Sequence, residues 1–471
     1  MVTVNVKWNR QVYAVDVDEE DSPEVFMSQL FSCTNVPPTR QTVIGFAGGK
    51  LRHDQVRGWR ELGLRDGMTV LMLGTPEAGV AGADASRRVR DDLDGQEAGV
   101  DAEDASAGRG WRRQGLVNTG NTCYMNATVQ CLAQVPELVQ RSLRLTAERG
   151  GGASEDANWR LARAYGQLMR ALFESAGEAS SNADGFIPSS FLSALRATYP
   201  QFAQTNERGL FMQQDAEECL SQLLTSLAAA TATAPSSSAP GGLEPNPIDD
   251  LFSIELQTVD TCQESADEPP VASVSRVRLL ACHISRAVNH LHEGVREGLE
   301  ESIQRHSGVL AREATWKRTS RIQRLPRYLN IHFVRFFWKP VEKVKAKILR
   351  KVTFPKRLDV YEFCTEELQA ELKRERTARE ARPADHTEEE AATGDVRTGM
   401  YELCAVLTHQ GRTAEAGHYV AWVMQDAQWL KFDDDAVSQV TEEQVMSLCG
   451  GGDWHTAYIC FYRAVSGHSP A

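Results

Sequence analysis

The sequence predicts an α+β protein of two folded units, and three observations predict it. Val2, Val4 and Val6 alternate with polar residues, and Val12 to Val17 follows after Asn9 and Arg10, the pattern of a β-hairpin. From Pro76 to about Gly110 the chain is rich in Ala, Gly and Asp, the composition of a flexible linker that sets residues 1–75 apart from the rest. Beyond it, apolar residues recur first at helical spacing and later in short strand-like runs, so helices precede strands. A length of 471 residues leaves ample core for more than one domain.

In the first unit, Ser22 and Pro23 open a helix whose apolar face carries Phe26, Leu30 and Phe31 and which ends near Pro37 and Pro38. Short strands follow at 42–46 and 68–73, with Gly48 and Gly49 at a turn between them. The linker, 76–110, includes the cluster Arg87, Arg88, Val89 and Arg90, read as a solvated charged stretch. The second unit spans 111–465. Its first part is helical: Trp159, Leu161, Ala164, Leu168, Leu172 and Phe173 share one face. Residues 231–246, rich in Ala, Ser, Pro and Gly, read as a loop insertion, and strands follow at 251–259 and 327–338. The highly charged stretch 371–395 is a further insertion, either an exposed helix or a disordered one. Strands at 401–408, 418–424, 429–432 and 457–463 close the unit, and 466–471 is a tail.

Composition narrows the function. A net charge of −13, much of its excess in linkers, argues against nucleic acid as the main partner. The first residues, MVTVNVKWNR, lack the apolar core of a signal peptide, and no stretch approaches a membrane span, so the expected setting is cytoplasmic, with the nucleus as the alternative. The ten cysteines are scattered without a C-x-x-C pair, which points to neither a disulfide framework nor a zinc site. No metal or cofactor is expected.

The chemistry centres on GLVNTGNTCYMNATVQCL. Gly120, Asn121 and Thr122 interrupt regular structure, and Tyr124 to Leu132 is helix-compatible, which puts Cys123 at a helix N-terminus. There the helix dipole and unpaired N–H groups favour thiolate, the nucleophilic form. A base is available in AGHYVAWV, at His418, and the acids of KFDDD, 431–435, follow a strand-like run. As strand neighbours, Asp433 and Asp434 would point to opposite faces, so only one can orient the imidazole. Spacing does not decide between them.

These three segments resemble the Cys box, His box and acidic segment of the ubiquitin-specific proteases, papain-like cysteine peptidases that remove ubiquitin from proteins. The resemblance implies a thumb, fingers and palm, with Cys123 as nucleophile, His418 as base, Asp433 as orienting acid and Asn118 as side-chain donor to the oxyanion. Asn121 is a second oxyanion candidate, with local backbone capping as the ordinary alternative. FMQQDAEECL matches a further family box: Gln213, Gln214, Asp215 and Glu218 are expected to bind substrate, Asp215 and Glu218 by meeting the arginine-containing tail of ubiquitin, and Tyr419, next to the base, is expected to bind substrate as well. The plainer reading of Asp215 is a helix start with acids in its first turn. Cys131 and Cys219 read as core, His409 lacks the flanks of His418, and Trp454 and His455 in GGGDWHTAY read as support. The polar run 410–417 reads as a loop able to overhang the groove for the ubiquitin tail.

The order ββαβ…β of the first unit resembles a ubiquitin-like β-grasp. It ends MLGTPEAG, without the terminal diglycine needed for conjugation, and so resembles a docking domain. Together with the missing zinc cysteines, this is similar to the proteasome-associated branch of the family. That likeness implies docking of residues 1–75 on the 26S proteasome regulatory particle, weak activity when free, and action on ubiquitin and ubiquitinated proteins. Two rivals remain: a largely non-catalytic ubiquitin-binding regulator of the proteasome, and a peptidase for another ubiquitin-like modifier.

Overall fold

The computed structural model describes residues 2–8, 11–17, 23, 26, 27, 29, 30, 36, 41–46, 49–52, 58–65, 67–73, 114–147, 156–174, 185–232, 246–339, 344–380, 396–413, 416–452 and 454–465. The expected linker 76–110, the turn at Asn9 and Arg10, the helix end at Pro37 and Pro38 and the tail 466–471 lie outside them. The chain divides into Met1–Ala107 and Gly108–Ala471.

The first unit is a five-stranded sheet in the order β2-β1-β5-β3-β4. Its strands are β1 (Val2–Trp8), β2 (Gln11–Val17), β3 (Thr42–Phe46), β4 (Gly49–Arg52) and β5 (Thr69–Leu73). β1 and β2 pair antiparallel, whereas β1 and β5 pair parallel. Alternation puts Val4, Val6, Val15, Val17, Val43, Val70 and Met72 on one buried face, covered by Phe26, Met27 and Leu30, where the backbone is helical. Phe26 meets Trp59 edge-on at 5.6 Å. Two elements were not expected: β4, and the short helix Trp59–Leu62. Gly49 is the first residue of a strand and pairs with Phe46, closing the turn; its φ of +114° suits glycine.

The second unit begins with the helices Cys123–Leu132, Pro136–Ala147, Ala157–Glu174, Ser189–Thr198 and Ala216–Thr231. The first of these is buried on every side, because it passes between its fellow helices and the large sheet. The insertion 231–246 is described only at its ends: Thr231 closes a helix and Asn246 opens the next, Pro247–Phe252, by accepting the Ile248 N–H at 2.9 Å. The strand expected from residue 251 therefore starts later, as β6 (Ile254–Cys262). It joins β7 (Val271–Val277), β9 (Glu300–Ser307) and β10 (Arg312–Arg324) in an antiparallel sheet ordered β7-β6-β10-β9. Asp260, nearly sealed from solvent, is held by Arg318 at 2.8 Å and Arg305 at 3.0 Å.

The large sheet runs β18-β17-β16-β15-β19-β11-β8. Its members are β8 (Leu280–Cys282), β11 (Tyr328–Phe333), β15 (Met400–Thr413), β16 (Ala416–Gln425), β17 (Gln428–Asp433), β18 (Ala436–Val440) and β19 (Thr456–Ala464). β12 (Phe336–Lys339), β13 (Val344–Lys347) and β14 (Arg357–Asp359) attach at its side. The single strand expected over 327–338 is split because Arg335 turns inward. Its fully buried guanidinium donates to the carbonyls of Ala457, Ile348, Arg350 and Cys449, and burial lowers its pKa to about 10. The charged stretch 371–395 is helical in its first part, within Glu366–Glu380. Leu372 is buried there and Arg376 pairs with Asp359 at 2.7 Å; 381–395 lies outside the described residues. The expected loop at 410–417 is mostly the end of a β-hairpin: Gln410 pairs with His418 and Thr413 with Ala416, around a bulge at Gly411 with φ +111°. Among the described residues no helix is long and apolar enough to cross a membrane.

Candidate active site

The turn before the buried helix is folded around one side chain. Asn118 Oδ1 accepts the N–H groups of Gly120 at 3.0 Å and Thr122 at 3.1 Å. Gly120 and Asn121 both have positive φ, +109° and +54°, and bring the chain sharply to Cys123, the first helical residue. Asn118 Nδ2 donates to Asp434 Oδ2 at 2.9 Å. An amide nitrogen has two hydrogens, so one remains for another acceptor. Asn126, one turn into the helix, donates to Asp434 Oδ1 at 2.9 Å and to Leu116 O at 3.0 Å. Asn121 instead donates to the carbonyl of Phe211 at 2.9 Å.

His418 faces this turn from β16. Its Nε2 lies 2.6 Å from Asp433 Oδ1, and the ring also hydrogen-bonds Cys123. The Tyr419 N–H points at Cys123 Sγ from 3.5 Å. Gly417, before the base, has no room for a side chain: a Cβ there would stand 2.2 Å from His409 Nε2 and 2.4 Å from the Gln410 carbonyl oxygen. Burial pulls the His418 imidazolium down, but hydrogen bonds to Asp433 and Cys123 outweigh it and push the pKa up to about 10. The ring can therefore hold a proton beside the sulfur.

The two candidate acids behave oppositely. Burial pushes Asp433 up, yet hydrogen bonds from His418 and Lys431 prevail and hold its carboxyl well below the usual range. Burial raises Asp434 above the ordinary carboxylate value, with the amides of Asn126 and Asn118 offsetting only part of this. The expectation of opposite faces does not hold here, because Asp434 has left the strand with φ +54°. Its Oδ2 is 4.0 Å from His418 Nε2, so both carboxylates approach the ring and Asp433 makes the hydrogen bond.

The residues expected to meet substrate are less uniform. Gln213 Oε1 accepts from Gly417 N–H at 3.4 Å, while Nε2 of Gln213 and of Gln214 are buried without a hydrogen-bond partner among the described residues. Asp215 caps its helix by accepting from Glu217 N–H at 2.9 Å and also accepts the Tyr458 hydroxyl at 2.7 Å, as the plainer reading had it. Glu218 accepts from Gln201 at 3.3 Å. Tyr419 needs correction: its ring is 1% exposed, packed against His409 at 4.7 Å and Tyr458 at 5.9 Å, so the side chain supports the site from behind. His409 and His455 are buried, and that burial lowers both to about 3. Cys131 and Cys219 are core, as read. Sequence reasoning passed over Asn126 and Lys431. Each carried a positional signal: Asn126 is a polar residue in an otherwise buried helix, and Lys431 stands two residues before Asp433, on the same strand face.

A thiol at a helix N-terminus, a proton-holding imidazole and an ionised carboxylate form a set able to attack a carbonyl and protonate a leaving amine. Comparison with known proteins agrees with that chemistry. A family model described as ubiquitin carboxyl-terminal hydrolase matches residues 114–462. Ubiquitin carboxyl-terminal hydrolase 6 of Arabidopsis thaliana is 38% identical, over 98% of this chain and 99% of its own. Ubiquitin carboxyl-terminal hydrolase 14 of Caenorhabditis elegans is 34% identical over 98% and 94%, and ubiquitin carboxyl-terminal hydrolase 6 of Schizosaccharomyces pombe is 33% identical over 98% and 99%. The chain therefore belongs to the ubiquitin carboxyl-terminal hydrolase family, as a thiol-dependent deubiquitinase.

Proposed function

We propose that Cys123, His418, Asp433 and Asn118 carry the hydrolysis of isopeptide bonds at the ubiquitin C-terminus, and that the enzyme acts on proteasome-bound conjugates in the cytoplasm or nucleus. The observation that carries this reading is the unbroken chain from Cys123 through His418 to Asp433, with 2.6 Å between base and acid. In the first step the Cys123 sulfur bonds to the carbonyl carbon and the carbonyl oxygen takes up the negative charge. The free hydrogen of Asn118 Nδ2 and the Cys123 backbone N–H supply donors for that oxyanion. The carbon–nitrogen bond then breaks as the His418 proton passes to the lysine amine. Water, losing a proton to His418, attacks the thioester and releases ubiquitin and the Cys123 thiolate.

Gln213, Gln214, Asp215 and Glu218 lie at or near the start of the helix beside this site, and Gln213 touches Gly417, next to the base. We assign them to the ubiquitin tail, Asp215 acting also through its cap. Residues 1–75 would hold the enzyme beside its conjugates; such tethering raises effective concentration to roughly millimolar. Cys123 is only 2% exposed, which supports weak activity in the free chain.

The test is adduct formation by wild type and Cys123→Ala with ubiquitin bearing a C-terminal electrophile, with and without proteasomes. A Cys123-dependent adduct that forms faster with proteasomes is expected. No adduct under either condition would leave the non-catalytic regulator as the better reading.

A further inference from the structure

We propose that Lys431 is a positioning residue of this site: its ammonium fixes the Asp433 carboxylate and so sets the pH range in which His418 works. The proposal rests on the roles given above for Cys123, His418 and Asp433.

Residues two apart on a strand share a face, so Lys431 and Asp433 of β17 lie side by side. Lys431 Nζ is 2.8 Å from Asp433 Oδ2, which leaves Oδ1 for His418 at 2.6 Å. The carboxylate is thus gripped at both oxygens and cannot rotate without losing one partner. The lysine is itself held. Its ammonium lies 5.6 Å from the centre of the Trp422 ring, its cross-strand partner on β16, and Trp422 is anchored by its Nε1–H to Thr408 Oγ1 at 3.0 Å. With 24% of its side chain exposed, Lys431 is shielded enough for its charge to be felt by its neighbours.

The groups around the pair leave few other sources of positive charge. Asp434, at the end of β17, adds negative charge and faces two asparagine amides. Cys123 approaches from its helix, His409 from β15 and His455 from the residue before β19. Burial keeps both histidines neutral near pH 7. Lys347 of β13 bonds the His409 carbonyl, behind the base. Among the described residues, Lys431 is therefore the cation paired with the acid itself.

The physical consequence has a definite sign. A carboxylate shared with an ammonium attracts the imidazolium less than an unshared one does. Without Lys431, the protonated form of His418 gains stability, so the alkaline limb of the activity profile, where the imidazolium loses its proton, moves to higher pH. An over-stabilised imidazolium also yields its proton less readily to the leaving amine, which lowers kcat rather than raising KM.

The experiment compares the full chain with Lys431→Met, which keeps an apolar stem against Trp422, and Lys431→Arg, which keeps the charge. Each is assayed on ubiquitin with a C-terminal fluorogenic amide from about pH 6 to about pH 11, with thermal unfolding as the check on folding. For Lys431→Met the alkaline limb should rise by roughly half a pH unit or more, with kcat at neutral pH down several-fold and KM nearly unchanged. Lys431→Arg should restore the wild-type profile. A Lys431→Met profile superimposed on wild type overturns the proposal, as does an arginine variant that shifts like methionine. If the methionine variant does not fold, Lys431→Gln carries the same comparison. Adduct formation with the ubiquitin electrophile separates the two readings: equal labelling of wild type and Cys123→Ala removes the site assignment. A Cys123-dependent adduct with an unmoved alkaline limb removes only the role of Lys431.

Discussion

The two sides of the active site are held by different means. On the sheet side, His418, Lys431 and Asp433 occupy regular ladder positions on β16 and β17, placed by strand alternation and cross-strand pairing. On the helix side, Asn118, Asn126 and Asp434 sit at the start of an irregular turn, within a helix and just past a strand, and they are joined by the two amides on the Asp434 carboxylate and by the Leu116 N–H on the Asp434 carbonyl at 2.8 Å. The first side follows from strand geometry, and the second depends more on side-chain hydrogen bonds. Substitutions on the sheet side should change rate with little loss of fold, and those around Asp434 should change both.

The largest effect expected on the sheet side is Asp433→Ala. Loss of the group that orients the imidazole should lower kcat by roughly 10²- to 10⁴-fold while the urea midpoint stays near wild type. If the midpoint falls as steeply as the rate, the two sides are not distinct. Asn118→Ala should come next, with kcat reduced by about 10²- to 10³-fold and ubiquitin affinity, measured by calorimetry, retained. An equally fast mutant would remove Asn118 from the oxyanion site. Asp434→Asn should act chiefly on stability. It leaves an amide nitrogen facing one of two asparagine donors and should cost about 1–3 kcal/mol in denaturant unfolding, with a smaller change in kcat than Asp433→Ala produces.

The last effect is one of pH. His418 rises from an ordinary value near 6.5 to about 10, so the folded state holds this proton more tightly than the unfolded chain. Its contribution to stability is complete below about pH 6.5 and is lost as pH climbs towards about 10. A gently falling urea midpoint over that range is expected, and it should flatten in His418→Gln. An unchanged slope in that variant would assign the loss to other groups.

The same division explains what could be read from the sequence. The strands around His418 were legible because Tyr419 to Val423 is a short continuous apolar run, which the structure buries on both faces of the sheet. The helix start at Cys123 was legible from Gly120 and Asn121, both of which take positive φ. β4 was not, since GKLR has a single apolar residue, Leu51, and shows no period. The break at Arg335 was hidden because nothing local to an arginine says that it will be buried; its partners lie up to 122 residues away. The hairpin over 410–417 was mistaken for a loop because its polar residues continue a ladder whose pairing is set by the backbone. Asp434 was misjudged for a related reason, since strand alternation ends one residue before it.

The bond between Asn118 and Asp434 joins residues 316 apart in sequence, and the contact of Tyr419 with Cys123 joins residues 296 apart. The nucleophile is made early, and the groups that complete its site are made last. At roughly 5–20 residues per second, a ribosome needs on the order of 15–60 s to cover that interval. Throughout it the nascent chain carries the thiol without its base, its acid or the anchor of its oxyanion donor. On the roles proposed for these residues, a partly synthesised enzyme cannot cleave the ubiquitin conjugates around it, and activity begins only when the two ends of the catalytic unit have met.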